Sequence, residues 1–394
     1  MRTVLISGAG VAGLSLAYWL RQYGFHPTLV ERAPALRAGG QAIDIRGTAR
    51  EVIARMGLMD EVRAVHTGTR GIAWLDEQGR RVAEMSADAF GDSGGVVADL
   101  EILRGDLVRI LHDAADSEIE YGTEIAALTE ESEGIRATFT HGPARTFDVV
   151  VGADGIGSSV RAMVFGPKSV RDLGYDVAYF TARTQLDLAG WEVIYNLPAG
   201  NGVGGRAVML YPLGTAGECC AMLGFVSPEP LSSREDPAAA LAEVFAGAGW
   251  EIPALLDQLP DDLYFARTRE VQLTEWHRGR TVLLGDSAFG GSLGMGTSLA
   301  VVGAYVLAGE LSTMDDPRAA FARYADEMRD YVAANRKRPP GGARGFAPRT
   351  RNGIRVRNAI MRALPHLPGR QRMLGGLQRS ANAITLKPYP ALRS

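Results

Sequence analysis

Residues 3–32, TVLISGAGVAGLSLAYWLRQYGFHPTLVER, constrain the fold more than any other stretch of the chain. An apolar β-branched run leads into a glycine turn, an amphipathic helix closed by Gly24, and a second apolar run that ends at Glu31. That order is a βαβ unit, and Gly8, Gly10 and Gly13 carry the spacing G-x-G-x-x-G. Gly8 allows the tight turn, Gly10 lets a pyrophosphate approach the backbone, and Gly13 lets the helix pack closely on the strand. Val11 and Ala12 open the helix, whose free N–H groups and partial positive charge suit phosphates. Glu31 stands at the strand end, where a carboxylate accepts hydrogen bonds from ribose hydroxyls, and Arg32 beside it can cover an adenine face. The reading is therefore a dinucleotide site. Context decides it, because GNGVGG at 200–205 also matches the bare pattern. That copy is followed by RAVMLYPL, which alternates like a strand, and is expected to be a hairpin.

The chain has 394 residues, 46% hydrophobic and 22% charged, enough for one large or two ordinary domains with real cores. A formal net charge of -3 leaves no electrostatic footprint for nucleic acid or an anionic membrane. Cys219 and Cys220 are neighbours that point to opposite faces of a strand, so a disulfide between them is not expected and a reducing cytoplasm fits. Glycines interrupt the apolar N-terminus where a signal peptide needs a continuous run. The longest apolar stretch, LAVVGAYVLAGEL, meets Glu310 well short of the roughly 20 residues a membrane span requires. A soluble, cytoplasmic protein, monomer or homodimer, is expected.

Further segments supply the rest of a binding crevice. RAGGQAIDIRGTAREVIARMGL (37–58) carries Arg46 between a strand-like and a helical run. LEILRGDLVRILHDAA places Arg104 at the head of an amphipathic helix. FDVVVGADGIGSSVR reads as a buried strand ending in Asp154 and Gly155. RTVLLG is another such strand, and it runs into GDSAFGGSLGMGTSLA (285–300), five glycines and one aspartate ahead of a helix. From Arg161 to about Asp262 the pattern changes to strands: DVAYFTARTQL, WEVIYNL, RAVMLYPLG and ECCAMLGFVS. No Ser-His-Asp or Cys-His constellation, P-loop or metal-ligand spacing appears, and no residue is assigned as a catalytic acid, base or nucleophile. When side chains offer no such group, a cofactor carries the chemistry.

Three motifs, GAGVAGL with Glu31 and Arg32, GADGIGSSVR, and GDSA followed by GMGTSLA, resemble the class A flavoprotein aromatic hydroxylases, the single-component FAD monooxygenases that include p-hydroxybenzoate hydroxylase-like and tetracycline-inactivating types. The landmarks run from residue 4 to about 311. The resemblance implies an α/β, two-domain (α+β) architecture. A Rossmann-like FAD-binding domain with a parallel sheet spans 1–165 and 266–335, a mostly antiparallel substrate-domain sheet spans 166–265, and C-terminal linker and helix occupy 336–394.

It implies non-covalent FAD, NADPH or NADH as co-substrate, and O2, which adds to the reduced ring at C4a before oxygen passes to an aromatic or polycyclic, polyketide-like substrate. Antibiotic biosynthesis or resistance is the implied setting, with a flavin oxidase or dehydrogenase, or a non-catalytic flavin-binding protein, as the alternatives. Asp286 would bind the ribityl hydroxyls. The backbone of Gly294, Met295, Gly296 and Thr297 would face the N1 and O2 edge of the flavin. Arg104 would reach the ribityl or phosphate region, and Asp154 the dinucleotide crevice. Arg46 and Phe289 are expected near the flavin, although a guanidinium covering a carboxylate of the same domain is an equal reading of Arg46. Tyr195, Met209, Tyr211 and Phe225 are candidates to line the substrate cavity. One departure stands out: the loop after Phe289 lacks the family's proline, so Gly290 and Gly291 imply a looser wall. Residues 336–357 hold eight Lys or Arg and no acid. They are read as a solvated linker to a terminal helix around NAIMRALPHL rather than as a nucleic-acid site.

Overall fold

A computed structural model describes residues 2–36, 40–87, 100–215, 217–292, 294–336, 343–367, 376 and 378–390. Leu293 of the glycine loop, Gly39 and part of the basic 336–357 stretch lie outside the described residues.

The N-terminal apolar runs form neighbouring strands. Thr3–Ser7 pairs in parallel with His26–Glu31 on one side and with Val149–Gly152 on the other. The complete sheet orders His277–Arg278, Thr281–Leu283, Val149–Gly152, Thr3–Ser7, His26–Glu31 and Ile119–Tyr121, all parallel except the short first strand. Val149–Gly152 is buried along its whole length, as a central parallel strand covered on both faces must be. Chain order changes direction beside Thr3–Ser7, so the crevice at the carboxyl ends of Thr3–Ser7 and Val149–Gly152 is the topological switch point of the sheet.

Helix Val11–Gln22 packs against helix Gly296–Thr313 and helix Arg104–Ala115. Gly296–Thr313 is apolar on all sides and buried from Ser298 to Leu311, which makes it an inner helix of the core. The one acid in that run, Glu310, is 2% exposed and accepts hydrogen bonds from Lys387 Nζ at 3.3 Å and Tyr389 Oη at 2.8 Å. Those donors belong to a tail that returns from the C-terminal side. Tyr305 Oη donates to the Lys387 carbonyl at 2.6 Å, and Thr48 Oγ1 to the Ile384 carbonyl at 3.2 Å. Ala381 presses on Gly47, whose φ of +52° and lack of a Cβ allow the contact.

The second large sheet has seven strands, in the order Tyr264–Val271, Val170–Arg183, Glu218–Val226, Arg206–Pro212, Trp191–Leu197, Gly71–Leu75 and Arg81–Ser86. Pairing is antiparallel except between Trp191–Leu197 and Gly71–Leu75. The four strands expected between Arg161 and Asp262 are all present, and GNGVGG lies in the hairpin between two of them. Two further strands come from 71–86, earlier in the chain. Alternation gives the sheet two apolar faces. Val193, Tyr195, Val208, Leu210, Leu223 and Phe225 pack with helices Pro237–Phe245 and Ile252–Leu256. Ile72, Tyr179, Ile194, Met209, Tyr211 and Met222 face the other way. A buried ion pair, Arg267 Nη1 to Asp176 Oδ2 at 2.9 Å, ties Tyr264–Val271 to Val170–Arg183. Helix Arg351–Ala363 begins inside the basic stretch, capped by Thr350, and lies against Arg81–Ser86. Among the described residues, no helix is long and apolar enough to cross a membrane.

Candidate active site

A continuous cleft runs from the switch point to the second sheet, and the glycines build its narrow end. Gly8 adopts φ +103°, and a Cβ there would sit 2.6 Å from the Ala153 carbonyl oxygen, so only glycine lets the two strand ends meet. A Cβ on Gly13 would fall inside the Gly8 carbonyl. At Gly10 the nearest atom to an added Cβ is Arg104 Nη2 at 3.8 Å, so this backbone faces open space. Gly10 also caps helix Val11–Gln22, with no side chain on the free N–H groups.

Around this end lies a cavity of about 190 Å³, bounded by Gly8, Gly10, Glu31, Arg32, Tyr121 and Asp154 among others. Glu31 is oriented by the backbone: Ala9 N–H donates to Oε2 at 3.0 Å and Ala33 N–H to Oε1 at 2.8 Å. Asp154 accepts from Ser159 Oγ and the Val160 N–H, both at 3.2 Å and both on Oδ2. Among the described residues its buried Oδ1 has no partner, and neither has the Tyr121 hydroxyl. Orphaned buried polar atoms are destabilising by about 1–3 kcal/mol each, so two of them on one cavity point to a polar ligand.

Gly10, Arg104, Ala153 and Gly155 also border a second, wider cavity of about 520 Å³. Arg104 is the first residue of its helix, exposed into the cleft, and among the described residues its guanidinium has no hydrogen-bond partner. Asp286 is exposed too, but into the cavity rather than to the outer surface. Enclosed by protein, its carboxyl is pushed above the ordinary carboxylate range by desolvation, which Arg104 and then Arg161 oppose. Gly294 has φ +70° with nothing near its missing Cβ, and Met295 caps helix Gly296–Thr313 with no side-chain hydrogen bond. The first N–H groups of that helix therefore open on the cavity beside Asp286, Thr297 and Ser292. The Ser292 hydroxyl is a third buried atom on the cleft without a partner among the described residues.

The far wall comes from the seven-stranded sheet: Ile72, Tyr179, Glu192, Met209 and Tyr211. Met209 and Tyr211 border the wide cavity. Tyr195 and Phe225 do not, because both fall on the opposite face: Tyr195 stacks on Trp250 at 4.7 Å, and Phe225 packs edge-on against Phe245 and Phe265. Phe289 is 1% exposed and packs on Trp276 in the core, not on the cleft. Arg46 is also turned away from the cavity; its Nη2 pairs with Asp44 Oδ2 at 2.7 Å, and it is Asp44 that borders the cavity. Nor are Gly290 and Gly291 a loose wall. A Cβ on Gly290 would lie 2.6 Å from the Asp286 carbonyl oxygen, and one on Gly291 2.9 Å from Glu270 Cα, so tight packing requires both.

Several residues escaped sequence reasoning. Arg161, 3% exposed, donates to the carbonyls of Ile156 (2.6 Å) and Ser287 (3.1 Å), locking the turn after Asp154 to the helix that starts at Asp286. Asp44, Glu101 and Glu192 place three carboxyl groups on the wide cavity. Glu192 had a visible signal: it is the one acid in the apolar strand WEVIYNL. Glu101 and Asp44 pair across two short strands, a contact no local pattern reveals. Among the described residues, no cluster of three or more His, Cys, Asp or Glu is disposed to hold a metal ion.

Residues 1–335 match the family model described as FAD binding domain. The chain is 38% identical over 363 residues to the uncharacterized protein Rv1260 of Mycobacterium tuberculosis, covering 87% of this chain and 95% of that protein. It is 36% identical over 346 residues to a flavin-dependent monooxygenase from an unknown prokaryotic organism, covering 85% and 87%. The crystal structure of tetracycline destructase Tet(55) superposes with a TM-score of 0.78 at 33% identity, covering 99% of each chain. The chain belongs to the FAD-binding-domain family, as a flavin-dependent monooxygenase of the class A aromatic-hydroxylase type.

Proposed function

We propose that the protein hydroxylates an aromatic or polycyclic small molecule, using NAD(P)H and O2 with FAD in the cleft. The observation that carries the reading is the join between the two cavities. A phosphate-sized recess at one helix N-terminus opens at Gly10 and Arg104 into a wide chamber with a second helix N-terminus and an aromatic wall. A dinucleotide whose second half is a flat ring fits that shape, and the three orphaned polar atoms fit its hydroxyls and phosphates.

In this reading Glu31 takes the ribose hydroxyls, Arg32 covers the adenine, and the backbone of Gly8, Gly10, Val11, Ala12 and Gly13 holds the pyrophosphate. Arg104 supplies a positive charge to it. Asp154 and Asp286 accept hydrogen bonds from the ribityl chain, and Arg46 acts at one remove by fixing Asp44. Gly294, Met295, Gly296 and Thr297 aim N–H donors at the ring edge, where they stabilise negative charge. Bound FAD supplies electron transfer from NAD(P)H and the activation of O2. Met209, Tyr211, Tyr179 and Ile72 hold the substrate ring and exclude water. The similarity to a tetracycline destructase supports a polycyclic substrate and a role in antibiotic chemistry.

The test is anaerobic mixing of FAD-loaded protein with NADPH, then NADH, with and without candidate aromatics. The proposal expects bleaching of the flavin by a reduced nicotinamide, faster with substrate bound. On admission of air it expects a product heavier by one oxygen atom. Bleaching by substrate alone would make the protein an oxidase or dehydrogenase, and no bleaching by either would leave a flavin-binding module.

A further inference from the structure

The wide cavity carries more negative charge than flavin binding uses. Glu192 is 3% exposed and Glu101 6%, and both border the chamber on the side of the aromatic wall. Glu101 Oε1 accepts from the hydroxyls of Thr67 and Thr69, each at 2.6 Å, and its carboxyl group is near enough to Glu192 to raise that residue's affinity for a proton. Neighbouring buried carboxyl groups disfavour joint ionisation. Glu192 is pushed well above the ordinary carboxylate range by burial and then by Glu101. Among the described residues neither has an ion-pair partner, since the nearby Arg46 is engaged by Asp44.

Glu192 borders the chamber, and its carboxyl group accepts no hydrogen bond from the side chains or backbone of the described residues. The hydroxyls of Tyr179 and Tyr211, on the same wall, have no hydrogen-bond partner among them either. A buried pair of carboxyl groups without an ion-pair partner among the described residues is an incomplete site, and what completes it is a cation with N–H donors.

Resting on the monooxygenase reading above, we propose that the Glu101–Glu192 pair anchors a protonated amino substituent on the substrate, so that the protein selects amine-bearing aromatic or polycyclic compounds. The ammonium N–H groups donate to the two carboxyl groups, whose negative charge balances the cation. The rings lie along Met209, Tyr179 and Tyr211. The pair is a specificity element and takes no part in electron transfer.

The experiment titrates FAD-loaded protein with two matched pairs, tyramine against 4-ethylphenol and tetracycline against 4-dedimethylaminotetracycline, following the visible flavin spectrum. One charge-assisted hydrogen bond predicts roughly ten- to hundredfold tighter binding of an amine over its matched partner. Glu192→Gln and Glu101→Gln each keep the shape of the side chain and remove one ionisable group of the pair. Both should bind FAD normally and lose most of that preference. Equal affinity within both pairs, failure of both amines to bind, or a preference that survives in both variants would overturn the inference. Loss of FAD binding or of NADPH-driven bleaching in the unaltered protein overturns the monooxygenase reading instead, so the two failures are distinguishable.

Discussion

Two glycines three residues apart should respond to substitution in opposite ways. Gly10 caps helix Val11–Gln22 with φ -87° and ψ -170°, an extended conformation open to any residue, and only the tip of Arg104 lies near its missing Cβ. Serine is a favoured cap whose hydroxyl would bond the free N–H groups. Gly10→Ser should therefore leave the fold intact or raise its stability by up to about 1 kcal/mol. The same hydroxyl occupies donors that a pyrophosphate needs, and losing one charge-assisted bond of about 1.5–3 kcal/mol weakens FAD binding roughly ten- to hundredfold. At Gly13 a Cβ has nowhere to go, because the Gly8 carbonyl occupies its position and Ile6 Cγ2 would lie 3.2 Å away. Gly13→Ala should destabilise the protein by about 1–3 kcal/mol or more through overpacking. Urea melts of the apoprotein and quenching of FAD fluorescence on titration separate the two effects. A Gly10→Ser protein that binds FAD as tightly as the parent would refute the placement of the dinucleotide. A Gly13→Ala protein of unchanged stability would refute the packing argument.

Other perturbations test other parts of the structure. Arg267→Ala leaves Asp176, 0% exposed, without its cation and should lower stability by about 3–5 kcal/mol in urea melts, whereas surface pairs such as Arg80–Asp76 should matter by less than about 1 kcal/mol. Asp286→Asn should weaken FAD binding measured by fluorescence titration while leaving the apoprotein no less stable, since it removes a carboxylate that desolvation disfavours. Glu192 binds its proton more tightly folded than unfolded. Its contribution to stability is therefore full below the ordinary value of 4.5 and declines as pH rises from there toward the raised folded value. Urea melts across that window should show a downward slope that Glu192→Gln flattens. Tyr195→Phe, remote from the cavity, should leave substrate affinity unchanged, in contrast to Tyr211→Ala, and steady-state KM values distinguish the two.

What was legible in the chain followed from periodicity and from glycine. The βαβ unit, the buried strands before Asp154 and Asp286, and the four middle strands all have patterns confined to ten or fifteen residues, which local reading captures. Gly8 and Gly13 stand where a side chain does not fit, a requirement set by backbone alone and so visible in the spacing. The errors share one cause. Tyr195 and Tyr211 sit on strands of the same sheet with similar surroundings in sequence, and only the placement of the sheet decides which face meets the cavity. Phe289, Gly290 and Gly291 were judged against a related loop, but here tertiary packing on Trp276, Ile156 and Glu270 fixes them. Strand Gly71–Leu75 pairs in parallel with Trp191–Leu197, more than a hundred residues on, a pairing that no local signal encodes.

The tail that buries Glu310 and presses on Gly47 also sets a schedule for biosynthesis. Thr48 and Ile384 are 336 residues apart, yet their hydrogen bond braces the loop that follows Asp44. At about 5–20 residues per second, a ribosome needs roughly 20–70 s to deliver the brace after its partner has emerged. During that interval the loop that carries Gly47 and Thr48 lacks this support, and a ribosome stalled before residue 378 would display the loop without its latch.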